Sequence, residues 1–405
     1  MERTGGGERG EPDWPPSIDA IHAQGRPGVI AVTGGGALAI GELLAVPGAS
    51  RSIVEAHVPY AAAALRGFLG AAPERACSDA TARSMAMAAF DRARRLADSH
   101  PTVPSSGSGM PFWGVGCTAS LRSVAEKRGP HRIHVAGQTA SSTSVLSVPL
   151  CTGKRTRAEE ERIAADLVIA AVARACGVPW PSPLSQLPEN VDVVARERTA
   201  PESWRDVVLG RVDAVLGCGG AGLDGPRDGE RSNRLLFPGA FHPVHAGHWG
   251  IAAWAKRHFG CDVEFEISVE NVDKPRLDYV ELDTRLGPFP PQTTVWLTRA
   301  PTFAQKARCF PGSRFLVGAD TIRRIADPKY YANEAGRDAA IDTIRELGCR
   351  FVVFGRREGD RFVTLDDLPL PSRLRALCEA VSEEAFRVDL SSTEVRARSA
   401  SHGTP

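Results

Sequence analysis

The chain has 405 residues, of which 42% are hydrophobic and 24% are charged, a composition that supports two or three globular domains. Forty-nine lysine and arginine residues against 48 acidic residues leave a formal net charge of +1, which excludes an overall electrostatic footprint for nucleic acid or an anionic membrane. The nine cysteines are widely spaced and include no Cys-x-x-Cys pair, so they indicate neither a disulfide framework nor a zinc site. We expect a cytoplasmic protein with reduced thiols, no resident metal, and no nucleic-acid or membrane partner.

No segment of the sequence has the pattern of an export or membrane signal. Residues 1–17 are rich in Gly, Pro and charge and lack an apolar run, so they predict a disordered tail. The most apolar window, residues 29–46, contains four glycines and Glu42, a pattern too interrupted for a bilayer span.

Residues 18–178 alternate short apolar strands with helical stretches and predict one α/β domain. Gly28–Thr33 predicts a buried strand that runs into three consecutive glycines and a helix. Further strands are expected at residues 111–116, 132–136 and 144–149. A helix is expected over Thr156–Cys176, because Ile163, Leu167 and Val172 recur at helical spacing and a glycine follows directly as a stop signal.

Residues 179–232 differ in character, because prolines are frequent among them. A short amphipathic helix is expected over Trp204–Leu216, followed by the Gly-rich run of residues 219–229. That run lacks a preceding strand and a following Lys-Ser/Thr, so it favours a flexible linker over a phosphate-binding loop.

Residues 233–405 form a second alternating block. Strands are expected at residues 235–237, 263–269, 294–297, 314–317 and 350–354. Helices are expected over residues 247–259 and 330–347, and a final helix opens at Ser391. Strand–helix alternation at this spacing predicts a doubly wound parallel sheet.

The most informative stretch is Phe237–His248, in which a strand ends in a glycine-bearing turn and three histidines stand at the mouth of a helix. A helix amino terminus presents unpaired N–H groups and positive potential, both suited to phosphate oxygens. We expect Gly239 and Gly247 to leave room for a ligand, and His245 and His248 to donate to phosphate. Two interpretations compete with this one: the histidines lie on the surface and bind no ligand, or they form a metal site.

The run Gly239-Ala-Phe-His-Pro-Val-His-Ala-Gly-His248 resembles the Gly-x-Phe-[Asn/Asp/His]-Pro-x-His-x-Gly-His signature of the nucleotidylyltransferases, which include the nicotinamide and nicotinate mononucleotide adenylyltransferases. Phe315-Leu-Val-Gly-Ala-Asp320 and Leu390-Ser-Ser-Thr-Glu-Val-Arg396 are similar to two further motifs of that family, in the family's order. The resemblance implies a Rossmann-like domain that transfers AMP or CMP from ATP or CTP to a phosphorylated small molecule and releases pyrophosphate.

The resemblance also implies a role for each matching position. His245 and His248 would be the catalytic pair on the triphosphate, with nucleotide contacts from Gly239, Ala240, Phe241, His242 and Gly247. Ribose and adenine would be held at Gly318 and Asp320, and phosphates at Ser391, Ser392, Thr393 and Arg396. A helix-capping box without a ligand is the alternative for that serine run. Mg²⁺ would arrive with ATP rather than in a protein cage.

Three cations complete the expected site. Arg356, just beyond the fifth strand of the block, is expected on the ATP side. Lys274 and Arg276 follow the second strand and are candidates to contact an acceptor phosphate, although an exposed loop of mixed charge would look the same.

The segment from Gly34 to Ser50 resembles part of the C-terminal domain of competence-damage-inducible (CinA-type) proteins, known for nicotinamide mononucleotide deamidase activity. The likeness covers residues 18–178, yet the family's Ser, Thr and Lys fall here on Thr33, Gly35 and Leu65. A site without the hydroxyl–amine pair lacks that means of activating a nucleophile or water. We expect a non-hydrolytic nucleotide-binding or structural role, with an amidohydrolase that uses the Thr33 hydroxyl as the alternative.

The sequence therefore predicts a nucleotidylyltransferase. Both domains resemble enzymes that act on nicotinamide nucleotides, which favours nicotinamide or nicotinate mononucleotide as the acceptor. This inference comes only from the presence of the two domains in one chain, not from particular site residues. A regulatory protein that binds nucleotide without turnover is the alternative. The sequence leaves open the acceptor, the choice between ATP and CTP, and whether the chain forms a homo-oligomer.

Overall fold

The computed structural model describes residues 17–98, 111–124, 129–180, 192–219, 234–271 and 276–387. The chain divides into two compact units, residues 1–197 and 198–405, and both are α/β in character. The boundary falls inside the segment that the sequence predicted to be a linker.

The first unit contains six strands and five helices in the described part of the chain. The strands are β1 (Gly28–Val32), β2 (Ile53–His57), β3 (Trp113–Ser120), β4 (His131–Thr139), β5 (Ser142–Leu150) and β6 (Val194–Thr199), whose last residues cross the boundary. The helices are α1 (Ile18–Ala23), α2 (Leu38–Ala45), α3 (Ala62–Leu69), α4 (Asp79–Asp98) and α5 (Arg157–Cys176). The strands predicted at β1, β3, β4 and β5 are confirmed, whereas β2, α3 and α4 were not predicted.

The strands of the first unit form one mixed sheet in the order β2-β1-β3-β4-β5-β6. Strand β1 pairs in parallel with β2 and β3, whereas β3, β4 and β5 pair in antiparallel fashion. The two-residue connection between β4 and β5 allows only an antiparallel return, and the longer connections allow the parallel pairs. The carboxyl ends of β1, β2 and β3 therefore lie at the same edge.

Helix α4 packs directly on the backbone of β3, because two positions of that strand carry no side chain. A Cβ added at Gly114 would lie 2.2 Å from the carbonyl oxygen of Ala86, and one added at Gly116 would lie 2.3 Å from that of Ala82. Real Cβ atoms do not approach backbone so closely, so the helix would have to move away from the sheet.

Replacing Gly114 by alanine is expected to destabilise the first unit by about 1–3 kcal/mol or more, because the added methyl group overpacks an interface made of backbone. Urea unfolding followed by circular dichroism measures the change. Gly41→Ala is the matched control, since a Cβ at Gly41 in helix α2 meets nothing within 4 Å and alanine favours the helix. Equal unfolding midpoints for the two variants would contradict this packing.

Helix α5 begins and ends where the sequence predicted. The Thr156 hydroxyl accepts a hydrogen bond from the Glu159 N–H at 3.2 Å, and the Glu159 carboxylate accepts one from the Thr156 N–H at 2.6 Å. Gly177 ends the helix in the left-handed conformation with φ 74°. The apolar face of α5, including Leu167, Val168 and Val172, is buried in the core against the sheet.

The second unit contains nine strands and seven helices among its described residues. The strands are β7 (Ala214–Cys218), β8 (Leu235–Pro238), β9 (Val263–Ser268), β10 (Val295–Thr298), β11 (Arg314–Gly318), β12 (Arg350–Phe354), β13 (Arg356–Glu358), β14 (Arg361–Val363) and β15 (Cys378–Val381). The helices are α6 (Glu202–Leu209), α7 (Ala246–Phe259), α8 (Tyr279–Leu286), α9 (Phe303–Cys309), α10 (Ala319–Ala326), α11 (Glu334–Glu346) and α12 (Ser372–Arg375).

The main sheet of the second unit is largely parallel, as the strand–helix alternation predicted. Its order is β15-β12-β11-β8-β9-β10-β7, and each neighbouring pair is parallel except β10 with β7. Strands β13 and β14 form a separate antiparallel hairpin. The carboxyl ends of β8, β9, β10, β11 and β12 therefore meet at the same edge, where ligands of open parallel sheets bind.

The predicted linker contributes strands to both sheets, which the sequence analysis did not foresee. The helix expected over Trp204–Leu216 ends at Leu209, because Gly210 adopts φ 77° and terminates it. The remainder becomes β7, in which Leu216 pairs with Trp296 of β10. The second half of that helix prediction was wrong.

Candidate functional site

The turn that follows β8, residues 239–245, is built around the buried ring of Phe241. This ring contacts Phe237, Phe265 and Phe289 in edge-to-face arrangements, with centroids 5.3–5.6 Å apart. Phe241 has φ 42°, a conformation uncommon for a bulky residue, and it is held there by this packing. A Cβ at Gly239 would lie 2.6 Å from the Phe241 ring, so the ring itself requires the glycine. That reason differs from the close approach of a ligand that the sequence suggested.

His245 and His248 lie together at the amino terminus of α7. Their ring centroids are 3.8 Å apart, and the His248 ring also meets Phe241 at 4.9 Å. The Gly247 N–H donates to Nδ1 of His245 at 3.2 Å, and the His245 N–H donates to Nδ1 of His248 at 3.1 Å. Because each Nδ1 accepts, the proton of each neutral imidazole lies on Nε2. Both rings therefore present N–H donors on the side away from the helix backbone.

Burial keeps both imidazoles neutral at physiological pH. It lowers the pKa of His245 below its usual value, and it lowers the pKa of His248 to about 3, with a further contribution from the charge of His245. A neutral imidazole can still donate a hydrogen bond, and burying it costs less free energy than burying a charged imidazolium. The pair can meet a polyphosphate through hydrogen bonds from Nε2, at a helix amino terminus whose positive potential favours anions.

The depressed pKa of His248 predicts a loss of stability in acid. The ring is neutral in the folded chain, so its contribution is complete above the unfolded pKa near 6.5 and is lost as pH falls from there toward 3. At pH 5 the wild type should lose up to about 2 kcal/mol relative to His248→Gln, and less where water reaches the half-buried ring. Urea unfolding at pH 7.5 and 5.0 measures this loss of unfolding free energy. The control variant His258→Gln should lose as much stability as the wild type. If His248→Gln loses as much as well, the proposed neutral imidazole at position 248 is contradicted.

Helix α8 holds the turn from the other side. Nη1 of Arg285 donates to the carbonyl oxygen of Ala240 at 3.0 Å, and its Nε donates to Glu281 at 2.9 Å. Nδ1 of His242 lies 3.1 Å from the same Glu281 oxygen. Burial raises the pKa of Glu281, but the hydrogen bond from His242 and the charge of Arg285 outweigh it and hold that pKa far below the usual range. Glu281 is therefore anionic, and the sequence analysis did not single out either α8 residue.

Two residues expected on the ATP side form an ion pair at the carboxyl ends of β11 and β12. Arg356 Nη1 contacts Asp320 Oδ2, and Arg323 Nη1 lies 3.7 Å from Asp320 Oδ1. Arg323 also donates to Glu358 at 3.1 Å through Nη2. Gly318 immediately precedes α10, and a Cβ added to it would meet nothing within 4 Å, so space opens beside this backbone. The structure thus brings Gly318, Asp320 and Arg356 to one place.

Of the acceptor-side candidates, Arg276 is described. Its Nη2 donates to Oε1 of Glu270 at 2.6 Å, and Arg299 donates to the same oxygen at 3.0 Å through Nε. Lys274 and the serine-run residues Ser391, Ser392, Thr393 and Arg396 lie outside the described residues.

A buried ion pair that the sequence analysis missed lies next to this turn. Nζ of Lys306 lies 2.8 and 2.7 Å from the two carboxylate oxygens of Glu266, whose side chain is fully buried, and Thr298 donates to the same carboxylate. The main-chain oxygen of Glu266 accepts from the Gly239 N–H at 2.9 Å. Two glutamates in the otherwise apolar strand β9 were the available signal, because charged residues enter a central strand only when paired.

The first unit carries a cavity of about 660 Å³ at the carboxyl edge of β1 and β3. Its lining offers hydroxyl groups, an aromatic ring and two guanidinium-bearing residues, and includes Thr33, Gly35, Tyr60, Arg122, Ser123, Thr156 and Arg157. Arg122 is held through its N–H, which donates to Oε2 of Glu160 at 2.6 Å. Thr33 and Gly35, two of the three positions carried over from the deamidase family, therefore line one cavity.

The third carried-over position does not face that cavity. Leu65 is 3% exposed and packs with Ala31, Leu69 and Met85. Three groups close to Thr33 in sequence could have acted as a base, and each is paired with another side chain. Glu42 pairs with Arg162, and Glu55 pairs with both Arg92 and His57. These pairings give no support for a base at the Thr33 hydroxyl.

Neither a metal cluster nor a membrane helix is found within the described ranges. No group of three or more His, Cys, Asp or Glu side chains is placed to hold a metal ion. In the same part of the chain, no helix combines the length and the apolar character needed to cross a bilayer.

The fold defines a two-unit α/β protein with a mixed sheet followed by a largely parallel one. About 40% of the chain, at its N-terminal end, resembles competence/damage-inducible proteins of known structure. The protein from Agrobacterium tumefaciens is 22% identical, with a TM-score of 0.28, over 38% of this chain and 90% of that one. The CinA superfamily protein from Escherichia coli is 13% identical, with a TM-score of 0.28, over 39% and 90%. No protein-family model and no curated protein matches the sequence.

Proposed function

We propose that the second unit transfers a nucleotidyl group from ATP or CTP to a phosphorylated small molecule and releases pyrophosphate. The observation that carries the proposal is the pair of neutral, Nε2-protonated imidazoles at the start of the helix after β8. They lie at the carboxyl edge of a largely parallel sheet, and the sequence around them resembles the nucleotidylyltransferase signature.

The proposed reaction needs positioning and charge stabilisation rather than a protein nucleophile. An oxygen of the acceptor phosphate forms a bond to the α-phosphorus of the triphosphate, and the bond from that phosphorus to the bridging oxygen breaks. Pyrophosphate leaves with the bonding electron pair. Charge accumulates on the α-phosphate oxygens and on the leaving group, where fixed N–H donors are most effective. His248 would donate to the α-phosphate, and His245 to the oxygens near the bridging atom.

The adenosine or cytidine end of the nucleotide would lie toward β11 and β12. The open space beside Gly318 leaves room for a ribose, and the carboxylate of Asp320 can accept from its hydroxyl groups. Arg356 and Arg323 hold that carboxylate in place. Asp320 follows β11, which neighbours β8 in the sheet, and Arg356 follows β12, the next strand along, with each strand spacing about 4.8 Å.

The residues fit an Mg²⁺ ion that is carried by the nucleotide and not by the protein. The carboxylates described at this edge, Asp320, Glu270 and Glu281, each contact guanidinium groups, so they are poor ligands for a second cation. When bound, Mg²⁺ would neutralise the charge of the triphosphate oxygens.

Nucleotide binding by the full chain tests the proposal. Millimolar ATP or CTP with Mg²⁺ should raise the unfolding temperature of the second unit, because a ligand that binds only the folded state stabilises it. His258→Ala, at the far end of the same helix, should keep the shift. The absence of a shift with either nucleotide would contradict the proposed site. A shift without pyrophosphate release would favour the alternative, a regulatory protein that binds without turnover.

A second proposal concerns the cavity of the first unit, which we infer to bind an anionic small molecule without hydrolysing it. Arg122 supplies positive charge, whereas the guanidinium of Arg157 is shared with Glu161 at 3.0 Å. Thr33, Ser123 and Thr156 supply hydroxyl groups, and the cavity volume suits a nucleotide-sized ligand. The buried Leu65 cannot take or give a proton, so this position supplies no partner to activate the Thr33 hydroxyl.

The full chain is expected to release no ammonia from nicotinamide mononucleotide, because amide hydrolysis needs an oxygen nucleophile beside a base. A coupled glutamate dehydrogenase assay measures ammonia directly. Turnover that disappears with Thr33→Ala would contradict this expectation and would make the first unit an amidohydrolase.

A further inference from the structure

The three imidazoles in the turn and at the start of α7 do not present the same chemistry. His245 and His248 accept hydrogen bonds at Nδ1, so each neutral ring carries its proton on Nε2. His242 is different, because its Nδ1 faces the anionic carboxylate of Glu281 at 3.1 Å and its side chain is 43% exposed. A carboxylate can only accept, so Nδ1 of His242 carries the proton and its Nε2 holds a lone pair in the neutral ring.

A histidine oriented by a carboxylate through Nδ1 is the arrangement that makes Nε2 a proton acceptor. Glu281 is fixed in turn by Arg285, whose Nε donates to the same oxygen at 2.9 Å and whose Nη1 donates to the Ala240 carbonyl. From helix α8, Glu281 contacts His242 directly, and Arg285 contacts Glu281. The site combines two N–H donors for phosphate oxygens with one base.

A phosphate acceptor that is already a dianion has no proton to lose, so the proposed transfer does not require this base. Water does require one. We propose that His242, positioned by Glu281, activates water in the absence of an acceptor, so that the second unit hydrolyses a nucleoside triphosphate to the monophosphate and pyrophosphate. The inference rests on the proposed nucleotide site but not on the identity of the acceptor.

The step balances without a further reactant. The water oxygen forms a bond to the α-phosphorus while one of its protons passes to Nε2 of His242. The bond from the α-phosphorus to the bridging oxygen breaks, and pyrophosphate leaves with the electron pair. His242 then returns its proton to solvent, which its half-exposed ring can reach.

The test uses the full chain with ATP and Mg²⁺ alone, and it measures AMP and pyrophosphate together. The wild type should form both in equal amounts, and His242→Gln should lower the rate about 100-fold, because a general base contributes roughly 10²–10⁴. Glu281→Gln should lower it about tenfold or more. The control variants are His258→Gln and Glu379→Gln, which alter another histidine–glutamate pair of the same unit, with the two side chains 3.7 Å apart. Both controls should keep the wild-type rate of AMP formation.

A second arm separates a base from a structural role. With nicotinamide mononucleotide added as the acceptor probe, His242→Gln should lower the ratio of AMP to dinucleotide product about 100-fold, whereas a distorted turn would lower both products together. ATP binding without AMP formation by the wild type would overturn the inference and leave the proposed nucleotide site standing. Equal AMP formation by wild type and His242→Gln would also overturn it. No ATP-induced thermal shift and no AMP would overturn both.

Discussion

Replacing His248 by alanine is expected to lower pyrophosphate release by about 10²–10³, the usual loss when one positioned donor to a developing oxyanion is removed. The Nε2 proton of His248 is fixed by the hydrogen bond at Nδ1 from the His245 N–H. The ring needs no reorganisation when charge appears on the α-phosphate, and alanine offers nothing in its place. The measurement is the rate of pyrophosphate release at saturating nucleotide.

The control for this variant is His258→Ala, which removes the same side chain from the other end of α7. The His258 ring stacks on Trp254 and is half-exposed, away from the turn. His258→Ala should therefore keep wild-type turnover. A His248→Ala protein that unfolds at the wild-type temperature and retains its turnover would remove His248 from the mechanism.

The largest effect on stability is expected from Lys306→Met, which should lower the free energy of unfolding by about 3–5 kcal/mol. The substitution leaves the fully buried carboxylate of Glu266 without the ammonium group that lies within 2.8 Å of both its oxygens. Chemical denaturation of the second unit measures the loss.

The double variant Lys306→Met with Glu266→Met separates this charge effect from packing. Replacing a whole buried pair by apolar side chains of similar volume is commonly neutral or stabilising, so the double variant should recover most of the lost stability. The Thr298 hydroxyl keeps a partner, because it accepts from the Ala300 N–H at 3.2 Å. A single variant as stable as the wild type would show that Glu266 carries no charge in the folded chain.

Local signals in the sequence predicted the elements that depend on local interactions. Gly177 correctly indicated the end of α5, because the hydrogen bonds that cap a helix form within a few residues of each other. The capping box of Thr156 and Glu159 at the other end is equally local, although the prediction did not use it. Helix α4 escaped prediction for the opposite reason. The part of its buried face that meets β3 includes the small residues Ala82 and Ala86, which pack against glycines of a strand more than 20 residues away. The fit between α4 and β3 forms only when the chain has folded, so the sequence pattern did not reveal it.

The same distinction applies to the candidate site. The turn with His245 and His248 is contiguous, so its pattern was visible, and the structure places both rings at a helix start. Glu281 and Arg285 come from a helix that begins more than 30 residues after the end of the turn, and their contacts with His242 and Ala240 are purely tertiary. No spacing in the sequence links these groups, so the base-like environment of His242 was not predictable.

The central claim is tested most directly by pyrophosphate release from the full chain, with ATP or CTP and Mg²⁺, across a panel of phosphorylated acceptors that includes nicotinamide and nicotinate mononucleotide. We expect release above the acceptor-free rate with at least one acceptor, matched mole for mole by a dinucleotide-type product and lost in His248→Ala. Release that no acceptor raises above the acceptor-free rate, in a chain that binds the nucleotide, would contradict it.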